Sequence, residues 1–188
     1  MRPVRAVLAA LLLLGGCASR PWEASSRGDL STSALDVIFV PTPPEVVEAM
    51  LGLAKVGSSD LVYDLGCGDG DIVVAAARSR GARVVGVDLD PVRIRRARHN
   101  AALAGVTSRA VFMEQDLFAT DVSQATVVAL YLSPEVNARL APKLMRELRP
   151  GTRIVSHDYT LGDLPHDQML EVSLVRTHRV FLYVVPPR

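Results

Sequence analysis

The stretch Leu61-Val62-Tyr63-Asp64-Leu65-Gly66-Cys67-Gly68-Asp69-Gly70-Asp71 constrains the fold of this chain more than any other. Its apolar start, Leu61 to Leu65, suits a strand covered on both faces. Glycines at alternate positions then permit a sharp bend and let a ligand lie close to bare backbone. A helix from Ile72 to Ser79 follows, ending at Arg80-Gly81. Its first amides point back at the turn, where they favour polar or anionic groups. Strand, glycine turn and helix in that order open a βα unit, and Asp64 puts a carboxylate near the strand's end.

The same unit repeats downstream. Arg83 to Asp88 reads as a second strand, again ending in an acid, and Asp90-Pro91 opens a helix. Ile94, Ala97, Ala101 and Ala104 supply that helix's inward stripe, and Gly105 stops it. Ala110 to Met113 reads as the third strand, followed by Glu114-Gln115-Asp116. Thr126 to Tyr131 reads as the fourth. Ser133-Pro134 starts a helix with Val136, Leu140, Leu144 and Leu148 one turn apart, and Arg153 to Ser156 reads as the fifth strand. Met169 to Arg176 and Arg179 to Val185 read as an antiparallel pair with a turn near Thr177-His178. Upstream, Thr42 is expected to cap a helix, with Glu45 in the reciprocal capping position; Val46, Val47, Met50, Leu51 and Ala54 form its apolar face.

Strands alternating with helices imply α/β architecture: a Rossmann-like three-layer sandwich, with a mostly parallel sheet and a C-terminal antiparallel pair. The 188 residues suffice for one domain with a real core. Ligands of such sheets bind beyond the C-terminal strand ends, at the switch point. Asp64, Asp88, Asp116, Tyr131 and His157 all fall there and are expected to converge on one crevice.

The formal net charge of +1 gives no electrostatic case for nucleic acid as the main partner. The N-terminus has a distinct pattern. Arg2 and Arg5 form a basic start, Val7 to Leu14 an apolar run too short to span a bilayer as a mature helix, and Leu14-Gly15-Gly16-Cys17 follows. Residues 1–16 read as a signal peptide. Residues 17–36, small and polar, read as a flexible tether, and 37–188 as the folded domain, entered through the apolar piece Val37 to Val40. The Leu14-to-Cys17 pattern resembles the bacterial lipoprotein box, which implies export and membrane anchoring through a lipidated Cys17 on the periplasmic side of the envelope. A retained signal anchor in the inner membrane is the alternative.

Gly66, Gly68 and Gly70 give G-x-G-x-G, whereas the dinucleotide fingerprint needs G-x-G-x-x-G; a nicotinamide oxidoreductase is therefore disfavoured. With Asp64 two residues before the first glycine, the spacing resembles the first motif of class I S-adenosylmethionine-dependent methyltransferases. A narrower resemblance is carried by Val40-Pro41-Thr42-Pro43, by Asp64 to Gly70, and by Leu130-Tyr131-Leu132-Ser133-Pro134. Together these look like the ATP synthase c-subunit lysine methyltransferase family and its small bacterial relatives; the broader class I resemblance covers about 38–188. The Asn/Asp-Pro-Pro-Tyr/Phe signature of many nucleobase and glutamine amino methyltransferases is replaced by Leu132-Ser133-Pro134-Glu135.

The resemblance implies methyl transfer from S-adenosylmethionine to an amine, foremost a lysine on a protein substrate, often a membrane protein. An envelope module that keeps the fold and binds without turnover is the alternative. On this reading Asp64 anchors the methionine ammonium, Gly66, Gly68 and Gly70 leave room for the ligand, and Cys67 packs beside it. Asp88 accepts from the ribose hydroxyls, and Asp116 accepts from the adenine amino group, with Gln115 and Leu117 lining the ring. Thr42 and Leu89 complete the cofactor side. Tyr131, Ser133, Pro134, His157 and Asp158 are the candidate catalytic residues, with Asn137 and Tyr159 beside them at the acceptor entrance; His157 or Asp158 could take the proton. No His/Cys/Asp/Glu cluster has metal-ligand spacing in the sequence, so no metal is expected.

Overall fold

A computed structural model describes residues 40–188. The expected signal peptide, the tether, Cys17 and the apolar residues 37–39 lie outside the described residues.

Seven strands form one sheet: β1 (Leu61–Leu65), β2 (Arg83–Asp88), β3 (Ala110–Glu114), β4 (Val127–Leu130), β5 (Arg153–His157), β6 (Gln168–Ser173) and β7 (Thr177–Val184). Their order is β3-β2-β1-β4-β5-β7-β6. β1 to β5 run parallel, while β7 runs antiparallel to both β5 and β6. The strand order reverses between β1 and β4, so the switch point lies at the C-terminal ends of these two strands.

Side-chain alternation splits the core into two layers. Val62, Val84, Val127, Ala129 and Val155 face α1 (Pro44–Leu53), α2 (Asp71–Ser79) and α3 (Pro91–Leu103). Val128, Leu130, Ile154, Phe181 and Tyr183 face α4 (Pro134–Glu147), whose Val136, Leu140 and Leu144 are buried as the one-turn spacing requires. All four residues of β4 are buried, as suits a strand packed on both faces, whereas β6 at the sheet edge is largely exposed. Gly86 in β2 permits close packing: a Cβ there would lie 2.9 Å from Cys67 Sγ and 3.0 Å from Val73 Cγ2.

A buried polar clasp ties the opposite end of the sheet. Asp60 accepts from Thr126 Oγ1 at 2.7 Å and from Arg153, while Gly57 N donates to its other oxygen at 2.9 Å. Burial opposes the Asp60 charge, but these donors outweigh it and hold the carboxyl below its ordinary range.

Two local expectations are corrected. Thr42 does not cap α1. The N-cap is Pro43, whose carbonyl takes the amides of Val46 and Val47 at 3.0 Å, and Thr42 is buried one position too early to reach them. The last turn is Leu174 to Arg176, not Thr177-His178: Ser173 pairs with Thr177, and β7 has already begun. The reason is the alternation of β7, in which His178 belongs with Val180 to the buried set.

Candidate active site

The glycine turn is wired to the neighbouring strand. Gly66 N and Cys67 N both donate to Val87 O, at 2.8 and 2.9 Å, and Gly68 N donates to Asp88 Oδ2 at 2.9 Å. Gly66 and Gly70 hold φ of 84° and 88°, the left-handed region that favours glycine. At Gly70 a Cβ would also press within 3.0 Å of Ala97 Cβ on α3. The turn therefore delivers the N-terminus of α2 to the end of β1, where Asp64 sits.

Asp64 is only 2% exposed. Burial, reinforced by the nearby charges of Asp88 and Asp71, pushes its carboxyl up to about 8 from an ordinary 3.8. All three acids line one cleft of about 880 Å³ beyond the C-terminal ends of the strands. Thr42, Gly66, Cys67, Leu89, Gln115, Asp116, Leu117, Tyr131 and Ser133 line the same cleft, as does Tyr159. These positions span both sides of the switch point.

Local bonds fix several of these groups. Asp88 Oδ1 accepts from Asp90 N at 2.9 Å, so each oxygen of this carboxylate takes one amide and keeps acceptor capacity. Asp116 Oδ1 accepts from Phe118 N at 2.8 Å, and Gln115 N donates to Asp88 O at 3.0 Å. Burial pushes the Cys67 thiol far up, and Asp64 and Asp88 add to the effect, so this sulfur is a neutral packing group. Gly68 and Gly70 shape the turn without lining the cleft, and Pro134 is the first residue of α4, one past the cap Ser133, whose Oγ receives Val136 N at 3.4 Å.

His157 and Asp158 lie outside the cleft lining. His157 is fully buried behind Tyr131, with ring centroids 3.9 Å apart. Its Nδ1 is 3.4 Å from Thr42 Oγ1 and its Nε2 2.9 Å from His178 Nδ1. Burial pulls His157 down to about 4, with Asp158 acting in the opposite sense, so the ring is neutral at pH 7. Burial also works against the Asp158 charge, but Arg176, at 2.7 Å, and Arg179 N, at 3.0 Å, hold its carboxyl below the ordinary range. Asn137 is likewise enclosed and bonds Ser156 Oγ and Tyr159 O across the β5 end.

Sequence reasoning passed over Asp71, Arg93, Phe118 and Arg139, all of which line the cleft. Arg139 was findable: it follows Ser133 and Val136 at intervals of three, on one helical face. Its guanidinium sits 4.7 Å from the Phe118 ring centroid.

Sheet order, glycine turn and acid-lined cleft together define an S-adenosylmethionine-dependent methyltransferase. The chain belongs to the ANTKMT methyltransferase domain family, whose model matches residues 64–168. A protein-lysine N-methyltransferase of Saccharolobus islandicus is 44% identical over 151 residues, covering 79% of this chain and 94% of that protein. An adenine nucleotide translocase lysine N-methyltransferase of Mus musculus is 33% identical over 151 residues, covering 80% of this chain and 64% of that protein. The crystal structure of an RNA methyltransferase from Salinibacter ruber in complex with S-adenosylhomocysteine matches with a TM-score of 0.75 at 48% identity, covering 79% of this chain and 95% of that one.

The residues present fit this cofactor. S-adenosylmethionine brings an ammonium and a sulfonium, and the cleft offers it five acidic side chains, Asp64, Asp71, Asp88, Asp90 and Asp116, of which Asp64 is deeply buried and held neutral by its surroundings. The raised Asp64 value has a stability consequence. The fold favours the neutral acid, so this contribution to stability is complete below about pH 4 and is lost as pH rises through about 8. Ligand-free Asp64→Asn is therefore expected to melt above the wild type at about pH 8.5 and level with it at about pH 4, read by thermal denaturation. Parallel pH profiles for the two proteins would remove Asp64 from this role.

Proposed function

We propose that this chain transfers a methyl group from S-adenosylmethionine to the side-chain amine of a lysine on a protein. The observation that carries the reading is the acceptor side of the cleft, where Tyr131 and Tyr159 stand near-parallel, 14° apart with centroids 6.5 Å apart. Two tyrosine faces suit an aliphatic stem that ends in an amine. The lysine specificity of the Saccharolobus and mouse relatives supports the same acceptor. The absence of a basic excess in the chain's formal charge of +1 weighs against RNA, the substrate class named for the Salinibacter protein.

In this reading Asp64 faces the methionine ammonium, Asp88 accepts from the ribose hydroxyls, and Asp116, Gln115 and Leu117 border the adenine. When bound, S-adenosylmethionine supplies an electrophilic methyl carbon for in-line displacement. The chain's own contribution is alignment, worth up to about 7–11 kcal/mol in well-oriented systems. An apolar, aromatic entrance also favours the neutral amine that must attack. His157, enclosed behind Tyr131, acts on the acceptor side by supporting that ring.

We propose further that the chain is exported and held to the envelope membrane by a lipidated Cys17, which would place a membrane-associated substrate within reach. The motif Leu14-Gly15-Gly16-Cys17 supports this. Cys17→Ser is expected to move the protein from the membrane fraction to the soluble fraction; unchanged fractionation would refute lipidation.

The activity test uses purified protein, methyl-labelled S-adenosylmethionine and membrane extract, with the modified residue identified by mass spectrometry. Label on a lysine ε-nitrogen is expected. Asp88→Ala is expected to weaken S-adenosylmethionine binding by about 1–3 kcal/mol, roughly 5- to 150-fold. Label found in added RNA and absent from protein would overturn the lysine assignment.

A further inference from the structure

The antiparallel pairing of β5 with β7 places His157 opposite Val180, and so carries His178, two residues away along β7, to the end of β5. There one ligand atom each from His157, Asp158 and His178 falls within 4.8 Å of the others. We propose that these three side chains form a binding site for a divalent transition-metal ion of the zinc type, behind Tyr131 and apart from the methyl-transfer cleft.

The three separations bracket those that a shared ion needs. His157 Nε2 and His178 Nδ1 are 2.9 Å apart, and Asp158 Oδ2 lies 3.4 Å from the first and 3.7 Å from the second. Donors held at about 2.0–2.2 Å around one tetrahedral or octahedral ion lie roughly 3.0–3.4 Å from each other. A hydrogen bond accounts for the nitrogen–nitrogen contact alone, since the carboxylate oxygen exceeds ordinary hydrogen-bond distance to one imidazole and sits at its limit from the other. One ion would engage all three atoms.

The donor set selects the ion class. Two imidazole nitrogens and one carboxylate oxygen suit zinc and its neighbours, whereas calcium and magnesium prefer all-oxygen shells. The ligands are already oriented from outside: Thr42 Oγ1 faces His157 Nδ1, the Tyr131 ring covers the His157 ring, and Arg179 N holds Asp158 Oδ1 at 3.0 Å. Such outer contacts fix ring planes and carboxylate orientation.

Arg176 is the competitor. Its guanidinium bonds Asp158 Oδ2 at 2.7 Å, and its side chain is 54% exposed. A dication beside this guanidinium would face one carboxylate shared between two positive groups, so ion binding is expected to turn Arg176 outward. His157 and His178 are buried, so the ion would enter from the side Arg176 covers. Since none of the three ligands lines the cleft, the ion's role is structural, pinning the β5–β7 junction behind Thr42 and Tyr131.

The test titrates the full chain, stripped with a chelator, with Zn²⁺ alone and with Co²⁺ alone. One ion per chain is expected, with visible cobalt absorption bands and a higher melting temperature in Zn²⁺. Asp158→Asn is expected to keep the fold, because asparagine tolerates the φ of 60° found there, and to weaken Zn²⁺ binding at least tenfold. His178→Ala is expected to abolish the cobalt bands. Arg176→Gln is expected to tighten Zn²⁺ binding severalfold, an effect that adventitious binding at surface histidines would not show. Binding well below one ion per chain, binding unchanged in Asp158→Asn and His178→Ala, or binding insensitive to Arg176→Gln would overturn the site. These readouts do not depend on methyl transfer, so their failure leaves the proposed activity standing.

Discussion

The burial of Asp64 is the constraint on which the rest of the site depends. A carboxylate out of water carries a large desolvation penalty unless a cation or several donors meet it. Here its charged neighbours Asp88 and Asp71 share its sign and add to the penalty. The ligand-free protein escapes the cost by holding Asp64 neutral. A cationic ligand reverses the balance, because its charge repays ionisation of the buried acid. The fold thus stores a preference for positive charge at the end of β1, at the point where strand order reverses.

Backbone wiring makes that preference specific. Val87 O receives two amides of the glycine turn, and Asp88 Oδ2 receives a third. The residue that borders the proposed ribose position therefore also holds the glycine turn that follows Asp64. On the far side of the switch point, Tyr131 stands against a buried His157–His178 pair and Tyr159 follows it in near-parallel stacking. On one side of the switch point the cleft is lined by acidic side chains, on the other by the rings of Tyr131 and Tyr159. That division matches a reaction in which the protein chiefly positions two partners and keeps water out.

Much of this was legible in the sequence because parallel strands buried on both faces read as continuous apolar runs. The strand cores of β1 to β5 and the caps at Asp90 and Ser133 follow from local patterns. Local patterns failed where a distant partner decided the outcome. Thr42 has the chemistry of a cap, but Pro43 carries the carbonyl that α1 uses. His178 reads as a turn residue until β7 alternation assigns it to the buried face, and its meeting with His157 depends on an antiparallel register that no spacing encodes. Arg139 and Phe118 reach the cleft from separate segments, joined only in the folded chain. Residues 1–39 are read from composition and motif alone.

The most direct measurement is the number of protons exchanged when S-adenosylmethionine binds, by calorimetry at about pH 6.5 in buffers of different ionisation enthalpy. With Asp64 neutral in the free protein and ionised against the bound cation, close to one proton per chain is released, and Asp64→Asn, where any binding remains, releases none. Binding to the wild type without proton release would contradict the account, because Asp64 would then be either already charged in the empty cleft or uninvolved in the filled one.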